Sequence, residues 1–234
     1  MGPYPNFQYF YYIPTFINNL QMKIYLPILF LIVFSGCKKD PDQAKYIPQE
    51  IKDYMYFKTG TWWVYEEITS HIRDSMYVTL AHDTVVTLEQ SSSTQGGTYE
   101  FYEYFTHSSF NNCKYTIYCN TTWDRGGKLP VFRAKSTQTS YIGETVVMTN
   151  AVKIGDKYYP TSEYGCVTYL GIYDSLSING SFFYKVKAFN DSKNITEGND
   201  STFFFIAKNI GIVRKTIPLK NEVWNLVNYK IEQE

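Results

Sequence analysis

The chain has 234 residues, in which 22 lysines and arginines balance 22 aspartates and glutamates, and aromatic residues make up 18%. This composition excludes a disordered chain, which would be poor in aromatic residues and strongly charged. It also excludes a nucleic-acid-binding protein that works through bulk electrostatics, since there is no excess of positive charge. The length fits one domain, or at most two small ones.

An apolar run near the N-terminus predicts a secretory signal peptide. Lys23 is followed by eleven uncharged, mostly apolar residues and then by Ser35-Gly36-Cys37. This run is too short to span a membrane, which takes about 20 apolar residues. We interpret residues 22–36 as the signal peptide. Residues 1–21, which precede the expected initiator Met22, are interpreted as a gene-start error.

The sequence Ser35-Gly36-Cys37 resembles the lipobox of bacterial lipoproteins. That resemblance implies cleavage before Cys37, acylation of Cys37, and anchoring in an envelope membrane through the lipid. The expected location is the bacterial cell envelope, at the periplasmic or surface face of the outer membrane. An ordinary signal peptide or a short anchor helix, with a coincidental cysteine, is the alternative. Residues 37–49 then read as the acylated cysteine and a polar tether.

A single all-β domain is predicted over residues 50–234, because apolar and polar residues alternate with a period of two. The turn sequence Asn179-Gly180 predicts a two-residue type I′ hairpin, and a short helical turn is predicted near 48–53. The predicted fold is an antiparallel sandwich, or a curved, partly closed barrel, of about ten strands. The candidate strands are 62–67, 76–88, 98–105, 113–119, 129–134, 141–148, 167–176, 182–189, 202–207, 211–217 and 223–231.

The density of aromatic residues has two interpretations. Residues 98–105 carry large rings on both faces of one predicted strand. One face could fill the core while tyrosine hydroxyls on the other reach water. Alternatively, the rings could line a groove for an apolar ligand or a sugar, because ring faces stack on both.

Cysteine spacing leaves the disulfide state open. If 113–119 is one strand, Cys113 and Cys119 are about 20 Å apart and cannot pair with each other. One of them could pair with Cys166, or all three could be thiols.

No catalytic constellation is visible, and no enzyme is predicted. His71, His82 and His107 are far apart and fit no metal-ligand spacing. His82-Asp83 has no accompanying nucleophile motif, and no phosphate-binding glycine loop occurs. The acidic pairs Glu66/Glu67 and Glu100/Glu103 are expected to point to opposite faces of their strands, so neither forms a catalytic carboxylate pair. No metal or cofactor is expected.

The two ends of the predicted domain resemble a group of uncharacterised envelope lipoproteins of Bacteroidota-type bacteria. Residues 56–66 are similar to their opening pattern, in which Tyr-Phe, a turn with Gly and a Trp-x-Tyr strand follow one another. Residues 207–214 and 224–229 are similar to their closing pattern, a Gly-apolar-Val strand followed by a Trp-x-Leu strand. Asn179-Gly180 is similar to their penultimate hairpin. The resemblance implies an all-β domain tethered to an envelope membrane and assigns no catalytic residue. Independently, Gly211 suggests a bulge or a close backbone approach.

Four Asp-Ser/Thr-apolar sequences resemble the O-glycosylation acceptor sites of such bacteria. The residues that would carry the glycan are Ser75, Thr84, Ser175 and Ser201. Asp-Ser is also common at turns, which is the alternative.

Together these patterns favour a membrane-anchored lipoprotein of unknown molecular activity that serves as a binding module for an apolar ligand or a glycan. Such a module should have an aromatic cavity or groove that its own side chains leave open. The alternative is a structural or accessory subunit of an outer-membrane surface complex, with an unidentified protein partner. That role requires an exposed apolar patch larger than a monomer usually shows.

Overall fold

Antiparallel strands dominate the part of the chain that the computed structural model describes, which is residues 45–89, 96–110, 114–120, 131–136, 144–149, 153–158, 166–192 and 201–232. All of these residues belong to one unit, Gln43–Glu234. The predicted signal peptide at 22–36, the segment 1–21 and Cys37 lie outside the described residues. No helix within the described ranges has the length and apolar character needed to cross a bilayer.

Within the described ranges, one short helix precedes twelve strands. The helix is α1 (Gln49–Met55). The strands are β1 (Trp62–Glu67), β2 (Arg73–Leu88), β3 (Gly97–Ser108), β4 (Lys114–Asn120), β5 (Val131–Ser136), β6 (Glu144–Thr149), β7 (Lys157–Tyr158), β8 (Cys166–Ile178), β9 (Ser181–Ser192), β10 (Ser201–Ala207), β11 (Gly211–Ile217) and β12 (Glu222–Lys230). A 3-10 turn, Pro218–Lys220, joins β11 to β12.

All twelve strands form one antiparallel sheet in the order β6-β5-β4-β3-β2-β1-β12-β11-β10-β9-β8-β7. The edge strands are β6 and β7, and among the described residues they do not pair with each other. Cα atoms of β6 nevertheless come within 8 Å of β8 and β9, so the sheet curls and brings its two ends close. The all-β, antiparallel prediction is confirmed, with twelve strands in place of about ten.

The alternation in the sequence located the long strands, and burial follows it most clearly in β1; in β2, by contrast, Val78 is buried and most other residues on both faces are exposed. In β1, burial alternates residue by residue, and Trp63 and Tyr65 are buried. The predicted turn Asn179-Gly180 is confirmed, with φ of 49° and 81° at its two residues. These positive values suit the turn that joins twisted hairpin strands. Of the strands that the structure describes, the two-residue β7 is the one that was not predicted.

Gly211 permits a close approach between β11 and the segment after α1. Its φ is 95°, and a Cβ atom there would lie 3.0 Å from Cζ of Phe57. The neighbouring ladder also changes register between Phe205 and Ile206. The prediction of a bulge or a close backbone approach at Gly211 is therefore confirmed.

Helix α1 packs against the sheet and contacts strands on both sides of the β1–β12 pair. Lys52 Nζ lies 2.5 Å from Glu100 Oε1 on β3. On the other side, Lys187 Nζ on β9 lies 2.7 Å from Glu50 Oε1. These ion pairs flank the buried face of the helix, which is formed by Ile51, Tyr54 and Met55. This apolar face, rather than the ion pairs, contributes most of the surface that the helix buries against the sheet. The helix therefore links distant strands of the sheet.

The predicted tether extends too far along the chain. Lys45 forms a parallel bridge with Tyr99 of β3, and Ile47 is only 3% exposed. The buried Glu100 carboxylate accepts a hydrogen bond from the backbone N–H of Ile47 at 2.7 Å. Lys45 thus pairs with the sheet and Ile47 packs on it, so the domain includes residues before 50.

Candidate functional site

A cleft of about 460 Å³ opens where the connection between α1 and β1 lies against β2 and β3. It is lined by Tyr56, Lys58 and Thr59 from the connection, Ala81 and Asp83 from β2, and Tyr102 from β3. Both polar and ring-bearing side chains therefore face one concave surface, as expected for a small-molecule site.

The backbone beside this cleft is fixed by a buried tyrosine. The N–H of Phe57 donates to the Tyr102 hydroxyl at 2.8 Å, and that hydroxyl donates to the Phe57 carbonyl at 2.5 Å. Burial is the main cause that raises the pKa of Tyr102 above its ordinary value. The hydroxyl therefore stays protonated and can donate at any physiological pH, which holds the connection in place.

Tyr56 bridges the two sides of the cleft. Its ring stacks on that of Tyr102, with 3.9 Å between centroids and 22° between planes. Its hydroxyl donates to Oδ2 of Asp83 at 2.5 Å. Lys52 Nζ lies 5.5 Å from the centroid of the Tyr56 ring. Because Tyr102 and Lys52 already contact the Tyr56 ring, the cleft offers a ligand the ring edge and hydroxyl rather than an open stacking surface.

The polar groups of the cleft suit a ligand rich in hydroxyls. Asp83 is exposed and presents carboxylate oxygens that accept hydrogen bonds. Thr59 can donate or accept through its hydroxyl, and Lys58 brings an ammonium group that donates. Ala81 adds apolar surface beside them. This mixture of acceptor and donor groups can bind a polyol without requiring the ligand to carry net charge.

Most of this site was missed by sequence analysis. Tyr56, Lys58 and Thr59 fell within the segment 56–66 that was interpreted only as a structural motif. Asp83 was considered only with His82, as part of a catalytic arrangement. The available signal was the cluster of polar residues just before the Trp-rich strand β1.

The acidic residues show the predicted placement. Glu67 and Glu100 are 5% and 4% exposed, whereas Glu66 and Glu103, on the opposite faces of their strands, are half-buried. Backbone N–H donors, chiefly that of Ser70, lower the pKa of Glu67 to about 2. Glu67 accepts hydrogen bonds from the turn after β1 and holds it in shape, which is a structural role.

The histidines lie apart in the described part of the chain. His71 and His82 are exposed, and His71 Nδ1 lies 3.1 Å from Glu66 Oε1. The His107 ring contacts that of Tyr77, at 5.3 Å between centroids. No cluster of three or more His, Cys, Asp or Glu side chains suited to a metal occurs among the residues described.

Two of the cysteines can be placed. Cys119 is buried and Cys166 is half-buried, and both are thiols. Cys113 and the lipidation residue Cys37 lie outside the described residues. The structure therefore excludes a disulfide between Cys166 and Cys119.

The four possible glycosylation residues are not brought together. Ser75 and Thr84 lie on β2, Ser175 on β8, and Ser201 at the start of β10. The first three are exposed and Ser201 is half-buried. None of them lines the cleft.

Comparison with known proteins gives no assignment. The chain matches no protein-family model, no curated protein and no solved structure.

Proposed function

We propose that this chain is a binding module whose cleft holds a hydroxyl-rich ligand, such as the end of a glycan. The observation that carries the proposal is the Tyr56–Asp83 hydrogen bond, which joins two sides of an open cleft and orients both groups. A carboxylate accepts strong hydrogen bonds from hydroxyl donors, and a carboxylate held in one orientation selects ligands whose hydroxyls lie in matching positions. The second wall, with Thr59 and Lys58, supplies donors for the ligand's oxygen atoms. Catalysis is not part of the proposal.

We expect the Asp83→Asn substitution to weaken saccharide binding by about 10- to 100-fold, because a hydrogen bond to a charged group is lost. The measurement is calorimetric titration of the domain with glucose, galactose, mannose and N-acetylglucosamine and their disaccharides. The Tyr56→Phe substitution should weaken binding of the same saccharides, because it removes the hydrogen bond that orients Asp83.

The matched control is Asp174→Asn, which changes another exposed aspartate, on β8, that pairs with Lys185. It should bind like the unaltered protein. If none of these saccharides binds, or if Asp83→Asn and Asp174→Asn bind equally well, the cleft is not a saccharide site.

The proposal also places the module in the bacterial cell envelope, held at the outer membrane by palmitate or another acyl chain on Cys37. The support is the similarity of Ser35-Gly36-Cys37 to a lipobox after an apolar run. A single acyl chain gives only marginal membrane binding, so stable anchoring requires more than one chain.

Growth of a bacterial host with radiolabelled palmitate tests this anchor on the full chain. We expect label in the unaltered protein and in Cys166→Ser, and none in Cys37→Ser. An unlabelled wild-type protein would show that the cysteine is coincidental.

A further inference from the structure

The β8–β9 hairpin buries one face and exposes the other. Ile178 and Phe183 are 1% and 4% exposed and join the hydrophobic core. On the opposite face, Phe182 and Tyr184 are 64% and 65% exposed. Adjacent phenylalanines thus differ completely in environment, and two large rings point into solvent.

These rings belong to a continuous surface, here called the ribbon face, made of Tyr173, Ser175, Ser177, Phe182 and Tyr184. Ser175 pairs with Tyr184 and Ser177 pairs with Phe182 across the two strands. Tyr173, two residues before Ser175 on β8, pairs with the buried Val186, and its ring lies 6.2 Å from that of Phe205. Tyr173 is 46% exposed. The five residues of the ribbon face present rings and hydroxyls, and the exposed charges next to them in sequence, Asp174 and Lys185, pair with each other at 2.6 Å.

We infer that the ribbon face binds the interior of an uncharged polysaccharide chain, an inference that rests on the proposed assignment of a glycan as the ligand class. Ring faces stack on the apolar faces of sugars, and serine and tyrosine hydroxyls exchange hydrogen bonds with sugar hydroxyls. Phe182 and Tyr184 are two residues apart on one strand, which places them about 7 Å apart in a row. A face without charge complements a partner without charge.

The size of the ribbon face argues against a protein partner. Five residues of strand span about 17 Å, and two strands with their rings are about 10 Å wide, which gives roughly 170 Å². A stable protein–protein interface takes about 800 Å² from each partner. The pairing of Lys185 with Asp174 likewise argues against attraction to anionic lipids, because the two charges offset each other.

Co-sedimentation with cellulose, chitin and starch granules tests the inference. At least one of these polysaccharides should retain the soluble domain. The double variant Phe182→Ala/Tyr184→Ala should then bind at least about fivefold less tightly, because two stacking contacts are lost. The ring-retaining variant Phe182→Tyr/Tyr184→Phe should bind like the unaltered protein. Tyr46→Ala removes a ring of similar exposure, 63%, elsewhere on the surface and should have no effect.

The outcomes separate this inference from the proposed cleft. Asp83→Asn should weaken binding of small saccharides by about 10- to 100-fold yet reduce sedimentation far less than the ring variant does. The inference is wrong if no polysaccharide retains the protein, or if the alanine double variant sediments as well as wild type. Ring-dependent binding to vesicles of neutral phosphatidylcholine, or ring-dependent dimers in analytical ultracentrifugation, without polysaccharide binding would also overturn it.

Discussion

Replacing Trp224 with alanine should lower the free energy of unfolding by about 3 to 5 kcal/mol, since a large ring would leave a cavity. Trp224 is 7% exposed, and its ring packs on that of Phe110 at 5.3 Å between centroids. Lys215 Nζ lies 5.5 Å from the ring centroid, and the indole N–H donates to Glu222 at 3.2 Å. The substitution removes all of these contacts together. Urea denaturation followed by fluorescence or circular dichroism measures the loss.

The control for this experiment is Phe182→Ala, which truncates a ring that is 64% exposed. Substitutions at exposed positions without special contacts usually change stability by less than about 0.5 kcal/mol. If Trp224→Ala cost as little as this control, the core described around β12 would be wrong.

Glu100→Ala should cost about 2 to 4 kcal/mol and weaken ligand binding in the cleft as well. The Glu100 side chain is 5% exposed and pairs with Lys52 Nζ at 2.5 Å. It also accepts the N–H of Ile47, which would be left buried without this partner. Because Lys52 in turn contacts the ring of Tyr56, loosening α1 removes one support of the cleft. Urea unfolding and saccharide titration of the same variant give both effects.

Glu103→Ala is the matched control, on the same strand but on its opposite, half-buried face. We expect it to change stability by less than about 0.5 kcal/mol and to leave binding intact. Equal losses in Glu100→Ala and Glu103→Ala would contradict the description of Glu100 as the residue that fastens the N-terminal segment.

Elements that depend only on residues close together in the chain could be predicted from the sequence. Strand β1 places Trp63 and Tyr65 two residues apart on its buried face, and its predicted bounds, 62–67, match those observed. The Asn179-Gly180 turn was equally accessible, because its backbone geometry suits only a few residue types. Strand β7 has two residues, too few for any periodicity to be visible.

Features that depend on contacts between residues far apart in the sequence could not be predicted from it. Residues 38–49 are mostly polar and contain two prolines, so they resembled a tether. Ile47 is nevertheless buried, and Glu100, 53 residues away, accepts its N–H. The cleft has the same origin. Tyr56, Asp83 and Tyr102 come together only through the pairing of β2 with β3 and the docking of α1. No spacing in the sequence predicts that these three residues lie together.

The strand order has a consequence for the connectivity of the chain. Among the described strands, every ladder but one joins strands that are consecutive in sequence, and the exception joins β1 to β12, where Tyr65 pairs with Leu226. The two strands that follow each other in sequence but do not pair are β6 and β7, which lie at opposite edges of the sheet. A circular permutant that starts at β7, passes from β12 into α1 and β1 through a new linker, and stops at β6 would retain every strand pairing of the native sheet.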